Sequence, residues 1–316
     1  TSNFYGVHSV TLYVNSVQVF NSTTDKVLPD ENRMINGFTD YEELTRTRRL
    51  IMRSYKLPGN RLRLLHPNEN RGAVTIDEER DYHFRYVLED NFGNRRTYQF
   101  IVKGKRQDIP EYKPEANEML YWNRTNVIQK PGMELVVPRY YVYEDVPLRT
   151  DMRGDSSHIA FDYILDAGRT PIHSYCDLSI GLRHMPVADT TKYYIVQKAG
   201  KWRSSMGGKY ANGWIKTRVR SLGTFSVDVD TIAPQITPIG QGGWRTSRNI
   251  RFRIKDMESG IGSYKVYIDG KFVLFGLKKG ILVIQDPEKV KKGVSHKLEV
   301  TVTDQCGNMT RKEYKF

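Results

Sequence analysis

The sequence predicts a mainly β protein: tandem immunoglobulin-like β-sandwich domains, the first carrying an inserted α-helix. Three observations lead there. Short runs of alternating apolar and polar residues are separated by turn residues, at the spacing of sandwich strands. The composition is rich in Tyr (20 of 316 residues) and punctuated by 25 Gly, as in globular β proteins. The chain also repeats itself. Gly6-Val7, Ser9, Tyr13-Val14-Asn15 and Val19 recur as Gly260-Ile261, Ser263, Tyr267-Ile268-Asp269 and Val273, a constant shift of 254. A D-x-x-G-N signature at Asp90, Gly93 and Asn94 returns at Asp304, Gly307 and Asn308, a shift of 214. The difference, 254 − 214 = 40 residues, is an insertion carried by the first copy alone. One structural unit is therefore used twice.

Along the chain, Ser9–Phe20 reads as a strand in which Val10, Leu12 and Val14 alternate with Thr11 and Tyr13. The insertion reads as a helix. Thr39 and Glu42 fit a capping box, Tyr41, Leu44, Ile51 and Tyr55 lie near one helical face, and Pro58-Gly59 closes it. Its other side carries Arg46, Arg48, Arg49 and Arg53, the pattern of a solvated face. Strands are expected at 60–65, 73–76, 82–88 and 98–102, with the Asp90–Asn94 turn between the last two. Lys105–Pro114 has the composition of a linker.

Further strands fit 134–137, 140–143, 158–165, 178–182, 193–197 and 223–229, with hairpin turns at Gly207-Gly208 and Asn212-Gly213. Asp230-Thr231-Ile232-Ala233-Pro234 is an extended, stiff joint. After it, Ile250, Phe252 and Ile254 point one way while Arg251, Arg253 and Lys255 point the other, and Asp269-Gly270 marks a tight hairpin. Three domains are expected: 1–105, a sandwich with the helical insertion; 106–231, a middle sandwich; and 232–316, a basic closing sandwich.

The net charge of +13 is uneven. Residues 1–105 carry 16 basic against 13 acidic side chains, and residues 106–231 carry 17 against 15. Residues 232–316 carry 16 against 8, a net of +8. A surface of that kind favours polyanions. No apolar run is long enough to span a membrane. The chain opens on Thr1-Ser2 with neither Met nor a signal peptide, which reads as a processed or trimmed piece. Its two cysteines, Cys176 and Cys306, provide no disulfide framework and read as buried small apolar residues.

Catalytic constellations are sparse. Among 7 histidines, the one suggestive spacing is His158-x-x-x-Asp162, the first half of a zinc-peptidase site. No H-x-H pair follows it, so a tetrahedral centre lacks its third protein ligand. There is no G-x-S-x-G elbow and no glycine-rich phosphate loop, and Cys176 near His173 has no supporting signature. The D-x-x-G-N turns and Asp256-x-x-Ser259-Gly260 offer oxygens of the type calcium takes, although Asp and Asn more often cap such turns. Tyr140, Tyr141, Tyr143, Trp202, Tyr210, Trp214 and Trp244 include candidates for sugar stacking, with core packing the commoner use of such residues.

A set of motifs carries a family resemblance. Phe4–Val10, Asn36-Gly37-Phe38-Thr39-Asp40-Tyr41, Leu57-Pro58-Gly59-Asn60, Asp256-x-x-Ser259-Gly260-Ile261, Ile268-Asp269-Gly270-Lys271 and both D-x-x-G-N turns form it. Together they resemble the long non-catalytic region that follows the catalytic domain in exported lysostaphin/LytM-type zinc endopeptidases of Bacteroidetes bacteria. The resemblance implies an accessory region of a cell-envelope peptidase, in the periplasm or outer envelope of a Gram-negative bacterium. It places no catalytic residue, metal ligand or cofactor on this chain; zinc is expected only in an absent catalytic domain. The expected partners are peptidoglycan or another anionic envelope polymer, and the missing peptidase domain; nucleic acid is not expected. The residues expected to make the contact are Arg251, Arg253 and Lys255 with the Lys278-Lys279 and Lys291-Lys292 pairs. A rival reading is an adhesin or scaffold that binds a protein or glycan partner.

Overall fold

A computed structural model describes residues 7–111, 115–155, 157–166 and 168–316. Within them the chain is mainly β, with five sheets and every strand pair antiparallel. The first sheet comprises β1 (Ser9–Val14), β2 (Val17–Thr23), β3 (Leu65–Pro67), β4 (Asp81–Glu89) and β5 (Arg95–Lys103), in the order β3-β2-β1-β4-β5. The stretch expected as one strand from Ser9 to Phe20 is a hairpin instead. Asn15 and Ser16 take left-handed φ of 48° and 70°, and a short polar pair tolerates that conformation better than its neighbours do.

Eleven strands follow: β6 (Glu118–Leu120), β7 (Asn126–Lys130), β8 (Met133–Val137), β9 (Val146–Arg153), β10 (Asp162–Asp166), β11 (Cys176–Gly181), β12 (Tyr193–Ala199), β13 (Trp202–Ser205), β14 (Lys209–Ala211), β15 (Trp214–Val219) and β16 (Gly223–Val229). They build a six-stranded sheet, β13-β12-β16-β10-β9-β6, and a five-stranded one, β14-β15-β11-β8-β7. Leu148, Tyr163 and Phe225 from the first meet Leu135, Leu178 and Ile215 from the second in one buried cluster, so the two form a sandwich. Gly207 and Gly208 carry the chain from β13 in one sheet to β14 in the other and are not a hairpin turn, whereas Asn212-Gly213 is one.

The last strands are β17 (Gln235–Ile239), β18 (Arg251–Lys255), β19 (Ile261–Ile268), β20 (Lys271–Phe272), β21 (Phe275–Lys278), β22 (Ile281–Ile284), β23 (Lys297–Asp304) and β24 (Met309–Lys315). They form the sheets β17-β18-β22-β21 and β20-β19-β23-β24, joined face to face by one core that includes Trp244, Phe252, Leu282, Val266 and Val300.

The repeat holds at the level of register. Val14 faces Phe84 as Ile268 faces Leu298, and Phe84 faces Phe100 as Leu298 faces Tyr314. At the hairpins, Asn15 Oδ1 accepts the His83 N–H and Asp269 Oδ1 accepts the Lys297 N–H, both at 2.9 Å. In both D-x-x-G-N turns the Asp takes the N–H groups two and four residues on, plus the Asn side chain. The Asx capping reading describes that geometry in full.

The insertion departs most from expectation. Its helix, α1, runs only from Tyr41 to Thr47. The N-cap is Asp40, whose side chain accepts from the Glu43 N–H, while the Thr39 hydroxyl donates to the Asn36 carbonyl. Arg48 in the left-handed region ends the helix, and Asp40 and Met52 are drawn into a short return pairing through Asp40 N–H to Ile51 O and the Thr39–Met52 bridge. Residues 60–64 and 73–76 form no strand. The same is true of 140–143, where Tyr140 has φ of 68° and Tyr141 closes a turn onto Pro138, and of 158–161.

The insertion replaces a second sheet over the first module. Met34, Phe38, Leu57 and Leu62 pack on Leu12, Val14 and Phe20, and Tyr143, which lies between β8 and β9, enters the same core. Its hydroxyl donates to the Arg33 carbonyl at 2.8 Å, and its own carbonyl accepts the Gly59 N–H at 2.7 Å. A Cβ on Gly37 falls 2.7 Å from the Tyr143 ring, and one on Gly59 falls 3.0 Å from its carbonyl, which accounts for glycine at both positions. The 105–114 linker has no regular structure where it is described; residues 112–114 lie outside the described set.

Candidate functional site

The candidate face is built on β18. Alternation buries Phe252 and Ile254 in the core, with Ile250 just ahead of them, and leaves Arg251, Arg253 and Lys255 exposed on the outer side of the sheet. Side chains two residues apart on a strand stand about 7 Å from one another, within the ~8 Å Debye length of physiological salt, so their fields add. The flanking strands present uncharged neighbours. Gln235 and Thr237 of β17 lie beside Lys255 and Arg253, and Ile281 and Val283 of β22 lie beside Arg253 and Arg251. Beyond β22, Lys278 pairs with Ile281, and the Lys279-Gly280 turn returns next to β18 through Ile254 N–H to Gly280 O at 2.9 Å. Among the described residues, none of Arg251, Arg253, Lys255, Lys278 and Lys279 forms an ion pair. Arg251, Arg253, Lys255 and Lys278 thus share one sheet face, with Lys279 in the adjoining turn, and among the described residues none has a neutralising carboxylate.

Lys291 and Lys292 are placed elsewhere. Their loop is held through Gly293, which exchanges hydrogen bonds with Arg245, and through His296, whose Nε2 bonds the Lys291 carbonyl and whose Nδ1 bonds Asp269 at 2.6 Å. That is the end of the module with the Asp269-Gly270 hairpin. No described hydrogen bond or ion pair joins it to the β18 stripe. Burial pushes the His296 imidazole down, but its bonds to Asp269 and to the Lys291 carbonyl outweigh that and leave it above its ordinary range.

The joint between the middle and last modules had no clear trace in the sequence beyond its proline. Asp230, fully buried, accepts from Ser259 N–H (3.0 Å), Ser259 Oγ–H (2.5 Å) and Ile232 N–H (2.9 Å). The Asn308 amide donates to the Asp230 carbonyl at 3.0 Å, and Lys192 Nζ donates to the Cys306 carbonyl at 3.0 Å. Oxygens of Asp230, Asp256 and Asp304 approach within 4.8 Å of one another. Hard cations take such oxygens, yet here N–H and O–H donors occupy each carboxylate, from Ser259 on Asp230, Glu258 and Gly260 on Asp256, and Cys306 and Asn308 on Asp304. Burial, with the charge of Asp230, holds the Asp304 carboxyl above the usual carboxylate range despite its bonds to Asn308. The cysteines are buried thiols, pushed by burial up to about 12 for Cys176 and about 11 for Cys306.

The remaining candidates scatter. His158 Nδ1 pairs with Asp155 at 2.9 Å while Asp162 binds Lys198 Nζ at 2.5 Å, so the H-x-x-x-D residues turn to different partners. Of the aromatic set, Tyr143 and Trp244 are core, Tyr140 lies under Arg61 and Arg139, and Trp202 is exposed at the tip of the β12–β13 hairpin. Sequence reading missed Tyr175, whose exposed ring has Arg218 of β15 within 5.6 Å and Arg220, just past the end of that strand, within 4.6 Å, because only the pairing of β11 with β15 brings them together.

Comparison with known proteins adds the following. No curated protein matches the sequence. Superposition on solved structures gives a Ca2+-stabilised adhesin of an Antarctic bacterium that binds ice, at 10% identity over 98% of this chain and 89% of that one, with a TM-score of 0.19. It also gives a bacterial ice-binding adhesin involved in host cell surface retention (9%, 98% and 86%, TM-score 0.18). A third is the Bacteroides ovatus mixed-linkage glucan utilisation protein SGBP-B (12%, 98% and 59%, TM-score 0.17). At scores this low the superpositions bear on neither fold nor ligand. In sequence, residues 117–230, just over a third of the chain, match the family described as the Zu5-like domain, and the middle sandwich is what this chain has in common with that family.

Proposed function

We propose that this chain is a non-catalytic accessory region of an exported cell-envelope metallopeptidase, which it positions on peptidoglycan or another anionic envelope polymer. The observation that carries the reading is the outer face of the β17-β18-β22-β21 sheet, where Arg251, Arg253, Lys255 and Lys278 stand unpaired among uncharged neighbours with Lys279 in the adjoining turn. A flat, unneutralised basic face attracts a repeating polyanion, which meets many such charges at once. The motif resemblance supports the link to a peptidase.

The test is co-sedimentation with purified sacculi across a salt series. Binding is expected at low salt and should weaken steadily towards 0.5 M, because charges at a surface are screened. The triple variant Arg251→Glu, Arg253→Glu, Lys255→Glu should lose at least tenfold in affinity while the double variant Lys291→Glu, Lys292→Glu loses little. Equal retention by both, or binding indifferent to salt, removes the basic face from the account and favours an adhesin or scaffold that holds a protein partner.

A further inference from the structure

The joint between the first and middle modules gathers positive charge around one strained tyrosine. Tyr140 sits in the left-handed region at φ 68°, with its N–H on the Trp122 carbonyl at 2.9 Å. A bulky side chain rarely adopts that backbone, and such outliers cluster at ligand sites. Two guanidinium groups lie against the Tyr140 ring. Arg61, from the insertion, stands 4.7 Å from its centre, and Arg139, from the middle module, stands 4.4 Å away. One cation on a ring is attractive. A second beside it adds repulsion, which an anion placed between them relieves. Neither arginine forms an ion pair among the described residues.

The surroundings hold this arrangement in place. Buried Asn60 donates its amide to the Met34 carbonyl at 3.1 Å and accepts the Leu62 N–H at 3.0 Å, which fixes the chain on either side of Arg61. A third guanidinium, that of Arg33, has a buried Nε with no hydrogen-bond partner among the described residues. The Arg33 carbonyl takes the Tyr143 hydroxyl, which lies 3.0 Å from His173 Nδ1. Burial lowers the His173 pKa, and the charges of Arg61 and then Arg33 lower it further, against a smaller opposing effect of Asp30. Both guanidiniums are therefore felt at one imidazole more strongly than the carboxylate is. Half-buried Trp122 lies 6.0 Å from the Tyr140 ring. Asp145 accepts the Trp122 backbone N–H at 3.2 Å and pairs with neither arginine. The Arg218–Tyr175–Arg220 cluster is a poorer site, since Asp177 faces Arg218 across the strands and no second ring is described beside Tyr175.

We propose that this joint binds an acidic sugar unit, with Arg61 and Arg139 holding its carboxylate or phosphate and Trp122 supplying an apolar face for its ring. Guanidinium planes match such oxyanions through paired hydrogen bonds, and an aromatic ring beside them suits the C–H face of a sugar. Arg61 and Arg139 come from different modules, so the ligand also ties those modules together. The site shares no residue with the β18 face and does not depend on it.

Titration calorimetry on the whole chain tests this with four probes: a glucuronate-containing hyaluronan tetrasaccharide, neutral cellotetraose, glucose 6-phosphate and inorganic phosphate. The tetrasaccharide with carboxylates, the sugar phosphate, or both should bind, and which of them does identifies the oxyanion. Cellotetraose should not bind. Arg61→Ala and Arg139→Ala should each weaken binding at least tenfold with unchanged melting temperature, Arg61→Lys should keep part of the affinity, and Trp122→Ala should weaken it at least fivefold. The Arg251→Glu, Arg253→Glu, Lys255→Glu variant should bind these short probes as the natural protein does, which separates this site from the basic face. No binding of either acidic sugar overturns the proposal, as does cellotetraose binding equally well. Inorganic phosphate binding as tightly as the sugars, or affinity unchanged in both Arg61→Ala and Arg139→Ala, overturns it too.

Discussion

Asp230 shows what one side chain does for the joint between modules. Its carboxylate is fully buried and holds both polar hydrogens of Ser259, while its backbone carbonyl takes the Asn308 amide. Charge-assisted bonds in such a place are each worth about 1.5–3 kcal/mol. Asp230→Ala should therefore lower the stability of the last module by about 2–4 kcal/mol and open the 230–234 segment to protease, read by limited proteolysis alongside urea melts. His296 makes a pH-dependent contribution. Its folded-state pKa is raised, so its bond to Asp269 contributes fully below the unfolded value of 6.5 and is lost as pH rises through the folded value. The gap in melting temperature between the natural protein and His296→Gln should be widest near pH 5.5 and shrink by pH 8.5. A gap that does not change with pH would show that the imidazole stays neutral.

At the scale of elements, the hairpin between β1 and β2 is a strained version of the one between β19 and β20. Ser16 has φ of 70° where Gly270 has 79°, and a Cβ in that region costs about 1 kcal/mol. Ser16→Gly should stabilise the first module by about 0.5–1 kcal/mol in a chemical melt, with Gly270→Ser destabilising the last by a similar amount. What the sequence made legible at this scale follows from physics. Alternation located β18, which writes its burial into every second residue, whereas β4, β5 and β16 stand where strand-like runs between turn residues were expected although their burial does not alternate. The insertion was misread. Tyr41, Leu44, Ile51 and Tyr55 have helical spacing, but Thr45 and Thr47 turn their hydroxyls back on the backbone and Arg48 ends the helix at its second turn. The basic stripe on β18 was legible from one strand alone. The Arg218–Tyr175–Arg220 cluster was not, since it depends on which strands become neighbours.

Across the whole molecule, two kinds of connection join three bodies of sheet. The middle and last modules meet through a polar joint, Asp230 with Ser259 and Asn308, and a small apolar contact of Tyr194 and Val196 with Cys306. The first and middle modules meet through an aromatic side chain that one contributes to the core of the other. Removing its hydroxyl in Tyr143→Phe deletes the bond to the Arg33 carbonyl and should cost about 1 kcal/mol; Tyr143→Ala, which leaves a cavity, should cost about 3–5 kcal/mol. Denaturation curves on the complete chain would separate these two terms. The sheets are built from 9–103, 118–229 and 235–315, and the first core draws in Tyr143 from the second of these stretches.

That borrowed tyrosine has a consequence for synthesis. A nascent chain that has emerged only as far as β5 still lacks the ring around which Gly37 and Gly59 are shaped. The opening stretch should then stay partly open until the following β8 and its loop arrive, and a truncation placed between β5 and β6 would strand it in that waiting state.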